Sequence, residues 1–137
     1  MTYVDGYLTP VPRARKDAYL ALAARAAAIL KEYGATRVVE CWPDESSDMS
    51  ADLYHAVEAR PELQEQQSGG TAGFRRAANA RADEVVVMSW VEWPDKETHD
   101  RGMKKAMEDP RLQLTDEEPV FEGSRLIAGG FYPFLDT

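Results

Sequence analysis

A chain of 137 residues, with 44% hydrophobic and 29% charged side chains, is large enough to bury its own core as a single domain, 1–137, and is far from a disordered composition. Its formal charge of −8 repels phosphate backbones and no basic stripe offsets it, so nucleic acid is excluded as an expected partner. The single cysteine, Cys41, excludes an internal disulfide and any Cys-x-x-Cys metal or redox motif.

Met1 to Gly6 carry no basic region followed by an apolar core, so no secretory signal is expected. The most apolar run, Leu20 to Leu30, is too short to span a bilayer and contains Arg25. The expected location is the cytoplasm, with no membrane partner. Tyr3 to Leu8 alternate as a first strand, and Pro10 and Pro12 are expected to end it and open a helix. Arg13 to Tyr33 form that helix: Tyr19, Leu22, Ala23, Ala26, Ile29, Leu30 and Tyr33 recur at spacings of three and four, and Gly34 caps the end. A second strand spans Thr36 to Trp42, where β-branched residues and a terminal aromatic favour the pleat and Pro43 stops it.

The stretch Asp44–Gly73 reads as a mobile insertion: an acidic turn, a short helix at Ala51 to Arg60, then a Gly- and Gln-rich loop from Pro61 to Gly70. Phe74 to Ala80 is expected as a short strand, and Glu84 to Trp93 as a longer one, apolar on both faces. Asp95 is placed to N-cap a second helix that ends at Asp109-Pro110. The last strand is expected from Ser124 to Tyr132, with Gly129-Gly130 allowing a bulge or a close backbone approach.

The order strand, helix, strand, strand, helix, strand predicts an α+β fold: a ferredoxin-like βαββαβ sheet with two helices on one face. The other face stays bare and apolar, and pairing with a second copy through it, as a homodimer, is the simplest cover. Alternation divides the side chains into two sets. Val4, Leu8, Val39, Cys41, Val85, Val87, Val91, Leu126 and Ala128 are assigned to the helix-covered face, where Cys41 is a small hydrophobe. Asp5, Tyr7, Glu40, Trp42, Met88, Trp90, Arg125 and Phe131 are assigned to the bare face.

That second set supplies the candidate site. Glu40 or Asp5 is the acid–base candidate, because a carboxyl enclosed in a cavity is expected to titrate high. Arg125 is the candidate anchor for an anion, and Trp42, Trp90 and Tyr7 the candidate walls. A competing reading makes these charges a structural pair within an oligomer interface. His55 and His99 stand alone without ligands at metal spacing, and no phosphate-binding glycine motif or Gly-x-Ser-x-Gly is present, so no metal and no cofactor are expected.

Several separated stretches carry a resemblance: Tyr3-Val4-Asp5-Gly6, Gly34 through Trp42, Glu84 through Trp90, Asp109-Pro110-Arg111, and Phe121 through Ile127 with Gly129-Gly130-Phe131. In that order they resemble the YbaA-like family of bacterial proteins, a domain of unknown function numbered 1428. The resemblance implies a dimeric α/β barrel, the superfamily of small cofactor-free monooxygenases and muconolactone-isomerase-like proteins, but no agreed catalytic residues. Between Trp42 and Phe74 the chain is longer than that pattern. Two functions stay open: binding or conversion of a small organic molecule in the barrel cavity, or a non-enzymatic dimeric module with a filled interface.

Overall fold

The computed structural model describes residues 1–46, 72–113 and 119–137. The helix expected at Ala51 to Arg60, the loop after it and most of the insertion lie outside the described residues. Strand β3, Glu84–Trp93, is the longest apolar run realised as a strand, and its burial follows its sequence, with every residue from Glu84 to Val87 buried. It pairs antiparallel with β1, Tyr3–Pro12, on one side and with β2, Arg37–Cys41, on the other. β4, Ile127–Phe131, pairs antiparallel with β1 and completes a four-stranded sheet of order β2-β3-β1-β4.

β1 runs on through both prolines that were expected to end it. β4 accompanies it only from Val4 to Leu8. Beyond Leu8 that side of β1 has no strand partner among the described residues, and a missing N–H there costs no ladder bond. A 3-10 turn at Arg13–Arg15 then leads into α1, Lys16–Glu32. Gly34 takes φ +116°. Its N–H donates to Lys31 O at 3.2 Å and that of Ala35 to Leu30 O at 3.0 Å, the paired bonds of a Schellman cap.

The strand expected at Phe74 to Ala80 is instead a short helix, α2, Ala72–Ala77. Phe74-Arg75-Arg76-Ala77 lacks an apolar–polar alternation and is rich in good helix formers. Asn79, with φ 52°, follows it. Helix α3, Lys96–Glu108, starts at Asp95, whose carboxylate accepts from Thr98 N at 2.7 Å. The last strand is shorter than expected because Gly123–Arg125 form a 3-10 turn before it.

α1 and α3 lie on the same face of the sheet. α1 sets Tyr19 and Ala23 against Val11 and Val87, while Leu30 and Met103 pack on Val91, Trp93 and Ala35. Gly102 lets α3 come close: a Cβ there would stand 2.6 Å from the Trp93 ring and 2.6 Å from Tyr33 O.

Registers between strands correct the division of faces. Glu40 stands opposite Ser89, and Ser89 opposite Tyr7. These three therefore share the helix-covered face with Asp5, Thr9, Val87 and Val91. The bare face instead holds Val4, Leu8, Val39 and Cys41 beside Met88, Trp90, Ile127 and Phe131. The sets were right within β3 and β4 and inverted within β1 and β2. Alternation fixes faces within a strand, whereas the relation between strands depends on register. Trp42 also goes to the covered side, packed against the Val11, Tyr19, Ala23 and Val87 cluster.

Candidate functional site

Between the helices and the sheet lies a cavity of about 800 Å³. Its walls are aliphatic and aromatic, with Leu22, Leu30, Val91, Met103 and Phe121 among them. Across its floor runs a polar row. Glu40, Ser89 and Tyr7 follow one another on β2, β3 and β1 at cross-strand positions, where Cβ atoms lie roughly 4.5–5.5 Å apart. Thr9 stands two residues along β1, and Tyr19 reaches down from α1 to donate its hydroxyl to Glu40 Oε2 at 2.9 Å.

Glu40 is open to the cavity yet crowded by protein atoms. Burial pushes its carboxyl above the usual range, and hydrogen bonds from Tyr19 and Ser89 only partly oppose this. No arginine or lysine pairs with it among the described residues. The tyrosines respond to the same surroundings. Tyr19 is raised by burial and then by the Glu40 charge, and Tyr7 by burial and then by Asp5, with a smaller push from Glu40.

Asp5, the other candidate acid, is buried next to Tyr7 but does not line the cavity. Its Oδ2 accepts from Trp93 Nε1 at 3.3 Å and faces His99 Nε2 at 3.0 Å. His99 turns its Nδ1 to Asp100 Oδ1 at 2.8 Å, and its ring is flanked by Tyr3 and Trp93. The histidine that looked solitary in the sequence is thus held between two carboxylates.

Arg125 does not reach the cavity. Its guanidinium donates to Glu84 Oε2 at 2.7 Å and Oε1 at 2.8 Å, and to Asn79 O at 2.8 Å. Through these bonds it holds Glu84 below its ordinary value. Arg75 adds hydrogen bonds to the carbonyls of Glu84 and Arg81, so this network ties the turn before β3 to the turn before β4. Trp90 points to the bare face, where Nε1 donates to Glu92 Oε2 at 3.0 Å. The Trp42 ring carries Lys16 Nζ 5.0 Å from its centroid.

Of the residues singled out from sequence, Glu40 and Tyr7 line this cavity, whereas Asp5, Trp42, Trp90 and Arg125 do not, Trp90 lying on the bare face to which alternation assigned it. Tyr19, Ser89 and Thr9 were missed as site residues. Tyr19 reads as one more member of an apolar stripe. Ser89 did leave a signal, being a hydroxyl at the parity of Val87 and Val91 within a valine-rich strand. Among the described residues no group of three or more His, Cys, Asp or Glu could hold a metal ion, and no helix is long and apolar enough to cross a membrane.

Two helices on one face of a four-stranded antiparallel sheet, with a carboxyl- and hydroxyl-floored open cavity between the layers, define an α+β protein. The chain belongs to a family described as protein of unknown function, DUF1428, which it matches over residues 2–123. It is 40% identical over 136 residues to the uncharacterized protein YbaA of Escherichia coli strain K12, covering 99% of each chain. The YbaA protein of Shigella flexneri is similar to the same degree, 40% over 136 residues.

Proposed function

We propose that the protein binds or converts a small organic molecule in the cavity beneath α1, with Glu40 as the group that hydrogen-bonds to the ligand and exchanges a proton with it. One observation carries this reading. Glu40 is a carboxyl with a raised pKa and no cationic partner among the described residues, at the floor of a cavity of about 800 Å³. That volume lies within the roughly 300–1,000 Å³ of small-molecule sites. A carboxyl that titrates nearer neutrality is suited to move protons at physiological pH. Ser89 and Thr9 supply hydroxyls for orienting the ligand, and the aliphatic walls supply the affinity.

The fold belongs to the same reading. The element order and the sheet order β2-β3-β1-β4 support a ferredoxin-like arrangement. The outer face, with Met88 40% and Phe131 60% exposed, supports pairing of two copies as a dimeric α/β barrel. A purely structural role for the acid is less well supported, because Arg125, its expected partner, is committed to Glu84.

Thermal-shift screening of small carbonyl compounds and phenols, with wild type and Glu40→Gln side by side, tests the site. Hits that stabilise only wild type are expected. Their exchange of acidic C–H protons with deuterated water should slow about 100-fold or more in Glu40→Gln if Glu40 is the base. Hits that bind and exchange equally in both proteins would remove Glu40 from the site. Sedimentation of the wild type as a monomer would remove the barrel.

A further inference from the structure

Among the described residues the polar row lacks a counter-charge. On the covered face of the sheet, β1 presents Tyr3, Asp5, Tyr7, Thr9 and Val11, β2 presents Val38 and Glu40, and β3 presents Val85, Val87, Ser89, Val91 and Trp93. That surface holds two carboxyls and no lysine or arginine. His99 stands against one of the carboxyls, Asp5, leaving Glu40 without an ionic partner among the described residues.

A carboxylate offers about four acceptor positions, and the hydroxyls of Tyr19 and Ser89 occupy two. The remainder have no donor among the described residues. The rings of Tyr7, Tyr19 and Phe121 line the same cavity, the last two in edge contact with centroids 6.0 Å apart. Aromatic rings beside a carboxylate suit a cation, which gains from both.

We infer that the ligand carries a protonated amine on an apolar body, with the ammonium group seated against Glu40 and the body along Leu30, Val91 and Met103. The inference rests on the small-molecule reading of the cavity and narrows it to one chemical class. Ammonium N–H groups supply the donors that Glu40 lacks. Their charge favours the ionised carboxylate, against the upward push that the surrounding protein atoms exert on it. Two guanidinium groups, Arg15 and Arg25, also line the cavity. Both belong to the stretch from the 3-10 turn into α1, and neither lies on the floor strands. They set up a direct competitor: an anionic ligand held by the arginines.

Three probes of equal chain length separate these cases: n-hexylamine, 1-hexanol and sodium hexanoate, each titrated calorimetrically into the full-length protein near neutral pH. Hexylamine is expected to bind wild type more tightly than hexanol and to lose about tenfold or more in Glu40→Gln, the worth of a charge-assisted hydrogen bond. Hexanol is expected to bind wild type and Glu40→Gln alike. Tyr19→Phe, which retains the carboxylate, is expected to keep the preference for the amine. Hexanol binding as well as hexylamine overturns the amine inference and leaves the cavity reading standing. Hexanoate binding best overturns it in favour of the arginines. Binding of none of the three overturns the cavity reading as well.

Discussion

Two acids in this molecule are each held by a tyrosine of the first helical unit, and they have opposite fates. Tyr19 donates to Glu40 at 2.9 Å, and Tyr33, at the end of α1, donates to Asp109 at 2.6 Å. At Asp109 the chain adds Arg111, whose guanidinium donates to both carboxylate oxygens and reaches on to Glu32 at 2.7 Å. Asp109 is held well below the usual carboxylate range, first by Arg111 and then by Tyr33. Glu40 has hydroxyls alone and moves upward through burial. Both acids have the tyrosine, so their opposite directions come from the guanidinium present at Asp109 and absent at Glu40. The first arrangement is a clamp joining the end of α1 to the end of α3, while the second keeps a carboxyl available.

The largest effect expected from breaking this contrast is at the clamp. Asp109→Ala leaves Arg111 and Tyr33 without their shared acceptor and should lower the melting temperature by roughly 5–10 °C, followed by circular dichroism. Glu40→Ala should cost far less, and equal losses would erase the distinction between clamp and site. Gly102→Ala strains the same helix junction, since its methyl group meets the Trp93 ring and Tyr33 O. Overpacking of this kind should cost about 1–3 kcal/mol in urea unfolding.

The two tyrosines give a finer comparison. Tyr19→Phe should cost about 1 kcal/mol or less and move the Glu40 carboxyl further up in a carbon-13 NMR titration. Tyr33→Phe should leave Asp109 below the usual range, because Arg111 remains. An Asp109 that returned to ordinary values in Tyr33→Phe would assign the clamp to the tyrosine instead.

The smallest expected effect is the pH dependence of stability at Glu40. A raised folded-state pKa means that the folded protein binds more protons than the unfolded chain between the ordinary glutamate range and the raised value. Wild type should therefore lose stability relative to Glu40→Gln as pH rises through that window, with the gap constant above it. Asp109 and Glu84, both lowered, act in the opposite direction: their contributions are present above the ordinary carboxylate range and vanish on acidification. Melting curves of the two proteins from pH 4 to 8 read the difference directly.

Much of the architecture was legible because it rests on local rules. β3 and α3 announce themselves through the valine run and the Asp95 cap, and the end of α1 through Gly34. Register is not local, which is why Glu40 and Tyr7 could be grouped correctly with each other and still be assigned to the wrong side of the sheet. Arg125 was misread for a related reason. Parity counted from β4 continues into residues that the structure turns away in a 3-10 helix, and nothing near Arg125 in sequence names Glu84 as its partner. His99 shows the same limit, since Asp5 lies at the far end of the chain.

The register of β2 has a consequence for how the chain can vary. Glu40 and Cys41 are one peptide bond apart and occupy opposite faces, one on the cavity floor and the other on the outer surface beside Met88. The Gly34 cap fixes where the strand begins. Removing one residue between Gly34 and Glu40, with the pairing to β3 otherwise kept, would exchange thiol and carboxylate: sulfur in the cavity, charge on the apolar exterior. Point substitutions throughout α1 are mild by that measure. The spacing of this short segment determines the site as firmly as the glutamate does, and length polymorphism should be far rarer here than substitution.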